Sequence, residues 1–199
     1  MKRKLASFFV IPVLQGVIFI CLAWPQSVDA TIDVPQPWAR AAAHAGVCWT
    51  VLYGIALRES RTQGVTITRP WPWTVNSPEG AQYFETRAAA KNHIEKLIRN
   101  GQKNIDVGLM QINWRYHGHR VDWLVDELLD PTRNVMVAAE YLAETMRETD
   151  GDLEKAVGWY HNRRPARAGP YASWVLEAAK VLDKNGSCEN GYGITRSSF

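Results

Sequence analysis

Apolar residues recur at helical spacing along almost the whole of this chain, and that repetition limits the fold more than any other feature. They fall at Cys48, Val51, Leu52, Ile55 and Ala56, the stripe of a helix with one buried face. Arg87 to Asn100 places Ala90, Ile94, Leu97 and Ile98 on one side, with Gly101 as a stop. Asp130-Pro131 is an N-cap followed by proline at the first helical position. It opens a helix whose inward face is Val135, Ala138, Ala139, Leu142 and Met146. Asp152 opens another, with Leu153, Ala156, Val157 and Tyr160 inward, and Tyr171 to Asn185 forms a last helix that stops at Gly186.

One stretch breaks the helical period. Arg69 to Val75 and Ala81 to Thr86 are short aromatic runs around an Asn76-Ser-Pro-Glu-Gly80 turn, which reads as a hairpin that its prolines confine to a sheet edge. Asn104 to Asn113 reads as irregular, and His117 to Leu129 as holding a short helix. With no internal repeat and no second domain, the expected fold is mainly α (α+β), with one small β-hairpin lobe.

The chain of 199 residues opens with Met1-Lys2-Arg3-Lys4, an apolar stretch from Leu5 to Trp24, and a Val28-Asp29-Ala30 ending. That is the pattern of a secretory signal peptide over residues 1–30. An uncleaved membrane anchor is the alternative, since about 20 residues can span a bilayer, but Pro12, Gln15 and Gly16 interrupt the stretch. Removing 30 residues leaves 169, in which 31–186 form the domain and 187–199 a Gly/Ser/Asn-rich tail. The leader carries Lys2, Arg3, Lys4 and Asp29, a net +2, so the formal charge of +3 falls to +1. Such a charge gives no case for nucleic-acid binding. Of the three cysteines, Cys48 and Cys188 remain. An even pair in an oxidising compartment permits a disulfide, with two separate thiols as the alternative.

The chemistry starts where the first stripe goes one step too far. Beyond Ile55 and Ala56 it reaches Glu59, and a carboxyl at the inward end of a buried face is costly unless paired or neutralised. Either it sits in a structural ion pair or it is an acid with a raised pKa. Tyr160 ends the inward series of its own helix, as packed ring or as functional hydroxyl. Gln111 stands inside the otherwise apolar Gly108-Leu-Met-Gln-Ile-Asn113.

Taken in order, Ala56-Leu-Arg-Glu-Ser60, Gly108-Leu-Met-Gln-Ile-Asn113 and Ala156-Val-Gly-Trp-Tyr-His-Asn162 resemble the three motifs of the soluble lytic transglycosylase (SLT) domain family. The similarity spans about residues 36–183 and includes the Asp130-Pro131 helix start. It departs from the family in two places. His161-Asn162-Arg163 replaces the usual Asn-Ala-Gly after the tyrosine, and 47 residues separate Ser60 from Gly108.

The resemblance implies a lysozyme-like fold that cleaves the MurNAc–GlcNAc bond of peptidoglycan in the periplasm, without a cofactor, leaving 1,6-anhydro ends. It implies Glu59 as the catalytic acid and Tyr160 as its catalytic companion. Ser60, Met110 and Gln111 would contact glutamate or substrate, Asn162 would stand in for the missing asparagine, and Trp71, Trp73 and Trp114 would stack on sugars. Small single-domain members resemble the enzymes that accompany secretion, pilus or conjugation machines, which makes such an apparatus the expected partner, with membrane contact only through an uncleaved signal.

Two rivals remain. A lysozyme-type muramidase would need a second acid, for which Asp106, Glu79 and Glu85 are the candidates. A non-catalytic glycan-binding component of an envelope machine would not need Glu59, Gln111 and Tyr160 together. No metal site is expected, because His117-Gly-His119 lacks further ligands.

Overall fold

In the computed structural model the described residues are 36–61 and 69–183, and all of them fall within one compact unit. The signal segment, the tail and Cys188 lie outside them, as does the expected end of the last helix at Asn185. Cys48 is disulfide-bonded.

The fold is mainly helical α+β, as expected, with eight α-helices among the described residues: α1 Gln36–Ala45, α2 Trp49–Ser60, α3 Arg87–Arg99, α4 Trp114–His117, α5 Val125–Leu129, α6 Pro131–Glu148, α7 Leu153–His161 and α8 Pro165–Leu182. The start signals act as read. Asp130 accepts a hydrogen bond from the Arg133 N–H at 2.9 Å with Pro131 in the first turn, and Asp152 accepts from the Lys155 N–H at 3.0 Å. Such caps satisfy backbone donors that a helix start leaves without partners.

Three elements differ from expectation. Helix α1 buries only Ala41, Ala42 and Ala45, and alanines alone make too faint a stripe to read. Helix α8 starts at Pro165 and carries Pro170 inside it, six residues before the expected Tyr171. Pro165 takes the first-turn position that proline favours. The hairpin, β1 Thr74–Ser77 with β2 Gly80–Tyr83, is not alone, because β3 Asp106–Val107 and β4 Ile112–Asn113 extend it to an antiparallel sheet of order β2-β1-β3-β4. Val75 pairs with Val107 and Asn76 with Asp106. Strands of two residues have no period to detect, which is why this segment read as irregular.

Helix α2 packs on α8, and α8 on α7. A Cβ on Gly54 would stand 2.9 Å from the Val175 carbonyl oxygen, so only glycine allows α2 this close to α8. The core that results includes Leu52, Ile55, Ile94, Met110, Leu128 and Leu142, all with almost no exposure.

Candidate active site

Glu59 sits in the last turn of α2, its side chain 18% exposed, at a cleft of about 870 Å³. The sheet supplies Asn76, Tyr83 and Asp106 to this cleft, the β3–β4 turn supplies Gln111, and α7 and the residue after it supply Tyr160, His161 and Asn162. The Tyr171 hydroxyl of α8 donates to Glu59 Oε1 at 2.6 Å. His161 Nδ1 stands 3.9 Å from the same oxygen, beyond hydrogen-bond reach. The His161 ring lies parallel to Tyr171, with centroids 4.5 Å apart and planes 3° from parallel.

Burial pushes the Glu59 pKa from 4.5 up to about 7. The Tyr171 hydroxyl opposes the rise, the Asp106 charge adds to it, and Arg58 lowers it. Near neutrality the carboxyl is therefore divided between its acid and its carboxylate forms, the poise of a group that both gives and takes a proton.

Asp106 lies on the sheet and lines the same cleft. Its Oδ1 accepts from Asn113 Nδ2 at 2.7 Å and its Oδ2 from Asn76 Nδ2 at 3.1 Å. Burial raises its pKa, and the two amides hold it down. Glu79 and Glu85, the other candidates for a second acid, do not line the cleft. His117 does, as a neutral group: burial, then Arg120, lowers its pKa to about 4, and its Nδ1 accepts from Arg120 Nε at 3.2 Å.

The three motifs converge on the turn between β3 and β4. Ser60 Oγ donates to the Leu109 carbonyl at 2.7 Å, and the Tyr160 hydroxyl to the Met110 carbonyl at 2.9 Å. Gly108 takes φ +84°, and a Cβ there would stand 2.5 Å from Asn134 Nδ2. Asn134 accepts from the Met110 N–H at 2.9 Å and donates to the Val107 and Leu128 carbonyls, each at 2.9 Å. Gln111 holds φ +46°, an uncommon conformation for a residue with a side chain. Its Nε2 donates to the Gly108 carbonyl at 2.9 Å and the Thr74 carbonyl at 3.2 Å.

Several residues expected to contact substrate lie elsewhere. Ser60 and Met110 are fully buried, so Ser60 acts as a tie between α2 and the turn, and the Met110 backbone carbonyl receives the Tyr160 hydroxyl. Trp114 is 6% exposed and packs edge-on against Trp123. Trp71 and Trp73 pack edge-on against each other, and Trp71 Nε1 donates to the Phe84 carbonyl at 2.7 Å. None of these three tryptophans lines the cleft. The aromatic rings that do line it include Tyr83, Tyr116, Tyr141 and Trp159, and Tyr116 is 62% exposed. Asn162 lines the cleft while its Oδ1 accepts from the Arg164 N–H at 2.9 Å.

Tyr160 lines the same cleft, close enough for the Glu59 charge to raise its pKa, while its hydroxyl donates to the Met110 carbonyl; Tyr171 is the tyrosine bonded to Glu59. Its signal was present: Tyr171, Val175 and Ala179 fall at i, i+4 and i+8 and all three are buried. A helix starting at Tyr171 would leave that residue at an end, whereas the start at Pro165 puts it in the second turn, on the inward face. Among the described residues, no cluster of three or more His, Cys, Asp or Glu side chains is placed to hold a metal, and no helix is long and apolar enough to cross a membrane.

No curated protein and no solved structure matches the chain. The family described as Transglycosylase SLT domain matches residues 36–168. That is more than half of the sequence and includes every residue that lines this cleft, though it ends before Tyr171, and the chain belongs to the transglycosylase SLT domain family.

Proposed function

We propose that this protein is a lytic transglycosylase that cleaves the β-1,4 bond between N-acetylmuramic acid and N-acetylglucosamine in peptidoglycan, with Glu59 as the single acid and base. The observation that carries the reading is Glu59 itself: a mostly buried carboxyl at a cleft, held by Tyr171 at 2.6 Å and raised to about 7. In its acid form Glu59 protonates the glycosidic oxygen as the bond to the anomeric carbon breaks. As carboxylate it then takes the proton of the muramic acid C6 hydroxyl, whose oxygen bonds to the anomeric carbon. The proton returns to Glu59, no water is consumed, and a 1,6-anhydro end results. The tethered hydroxyl needs no second reactant to be captured, which supplies much of the rate.

Export by the N-terminal signal would deliver the enzyme to the periplasm, where glycan strands are its substrate and a secretion, pilus or conjugation apparatus its employer. The test is mass spectrometry of products from purified peptidoglycan. Muropeptides lighter by one water at the muramic acid end are expected, and their loss in Glu59→Gln.

One observation favours a second reading. Asp106 faces the same cleft as Glu59, and hydrolases of this bond use two carboxylates. Reducing-end products that Asp106→Asn abolishes would select a lysozyme-type muramidase instead. Glycan binding without solubilisation by either wild type or Glu59→Gln would select a non-catalytic glycan binder.

A further inference from the structure

We propose that His161 is a positioning residue, which holds the Tyr171 hydroxyl on Glu59 by stacking against the tyrosine ring; this rests on the assignment of Glu59 as the acid. His161 is one of the residues by which the chain departs from the expected Asn-Ala-Gly, and an asparagine there could offer no ring. The histidine offers one, parallel to Tyr171 at 4.5 Å, whereas the other described aromatic pairs are tilted or edge-on. The two rings come from different helices, so the stack joins the end of α7 to α8.

The imidazole acts through the tyrosine rather than on the carboxyl. At 3.9 Å its Nδ1 makes no hydrogen bond to Glu59 Oε1, while the Tyr171 hydroxyl occupies that oxygen at 2.6 Å. The other groups that act on it electrostatically are Arg58 of α2, Asp106 of β3 and Arg167 of α8. Burial, then the two arginines, lowers its pKa, so it stacks as a neutral ring and brings no cation to hold Glu59 ionised. In this scheme Tyr171 holds Oε1, and the transferable proton belongs on Oε2. His161 is 42% exposed, so its replacement leaves the core intact.

The test is a double-mutant cycle on soluble peptidoglycan strands, read as kcat and KM of the full chain, with thermal melts to check folding. His161→Ala should lower kcat by about three- to tenfold, the range of an aromatic pair, and leave KM within about twofold. His161→Phe, which restores a flat ring without nitrogen, should recover most of that loss. In a Tyr171→Phe background, His161→Ala should cost nothing further, because the hydroxyl it positions is gone. The proposal is overturned by wild-type kcat in His161→Ala, by failure of His161→Phe to recover it, or by losses that multiply in the double variant. Glu59→Gln runs alongside: if it stays active the parent assignment fails, and if it is dead while His161→Ala is normal only the role of His161 fails.

Discussion

Replacing Glu59 by glutamine removes a buried titrating group while keeping its shape, and the effect on stability has a definite sign. The carboxyl titrates near 7 in the folded chain against 4.5 as the reference for the unfolded one. Between those values the folded protein holds a proton that the unfolded chain has released, so unfolding free energy falls as pH rises through that window. The interval from 4.5 to about 7, at ~1.36 kcal/mol per pH unit, comes to about 3 kcal/mol. That penalty is absent below about pH 4 and complete above about pH 8. Glutamine carries none of it, and its Oε1 still accepts the Tyr171 hydroxyl. Glu59→Gln should match wild type near pH 4 and exceed it by about 3 kcal/mol at pH 8.5, worth roughly 6–12 °C in Tm for a domain of this size. His117, held down at about 4 by burial, pushes stability the other way with pH, but both proteins share it and it cancels in the difference. Paired urea titrations at pH 4, 5.5, 7 and 8.5 measure that difference. A flat difference, or a glutamine variant less stable than wild type at pH 8.5, refutes the assignment of Glu59 as a carboxyl raised by burial.

Tyr171→Phe keeps the ring and removes the donor to the carboxylate, so the Glu59 pKa should rise further. The basic limb of kcat/KM should move to higher pH, with a loss of about tenfold at neutrality; a limb that moves to lower pH contradicts the hydrogen bond. Gly108→Ala puts a Cβ 2.5 Å from Asn134 Nδ2 at φ +84°. It should cost about 2–4 kcal/mol in chemical denaturation, and a loss below about 1 kcal/mol would count against the turn as described.

Periodicity is a one-dimensional record of which face a segment buries, and it served wherever the buried face was rich in large side chains. The stripe from Cys48 to Ala56 located α2 and, by running one step further, singled out Glu59. The Asp130-Pro131 start and the inward face ending at Tyr160 were equally legible. The record is thin where alanine alone is buried, as in α1, and absent in strands of two residues, as in β3 and β4. It is also silent on direction within an aromatic cluster. Trp71, Trp73 and Trp114 were conspicuous by type, yet their rings pack against neighbours, and tyrosines line much of the cleft in their place.

Spacing along one segment is enough to specify a mainly helical chain with one acid at the inward end of a buried helix face. What that acid meets depends on how distant segments pack. Tyr171 lies 112 residues away in sequence and reaches Glu59 because Gly54 lets α2 close on α8. Tyr160 spends its proton on Met110, 50 residues away, and Asp106 faces the cleft because β3 pairs with β1. Hydrogen bonds form over about 3 Å, and no spacing along one chain segment predicts which distant partner the packing of helices and sheet will bring within that reach.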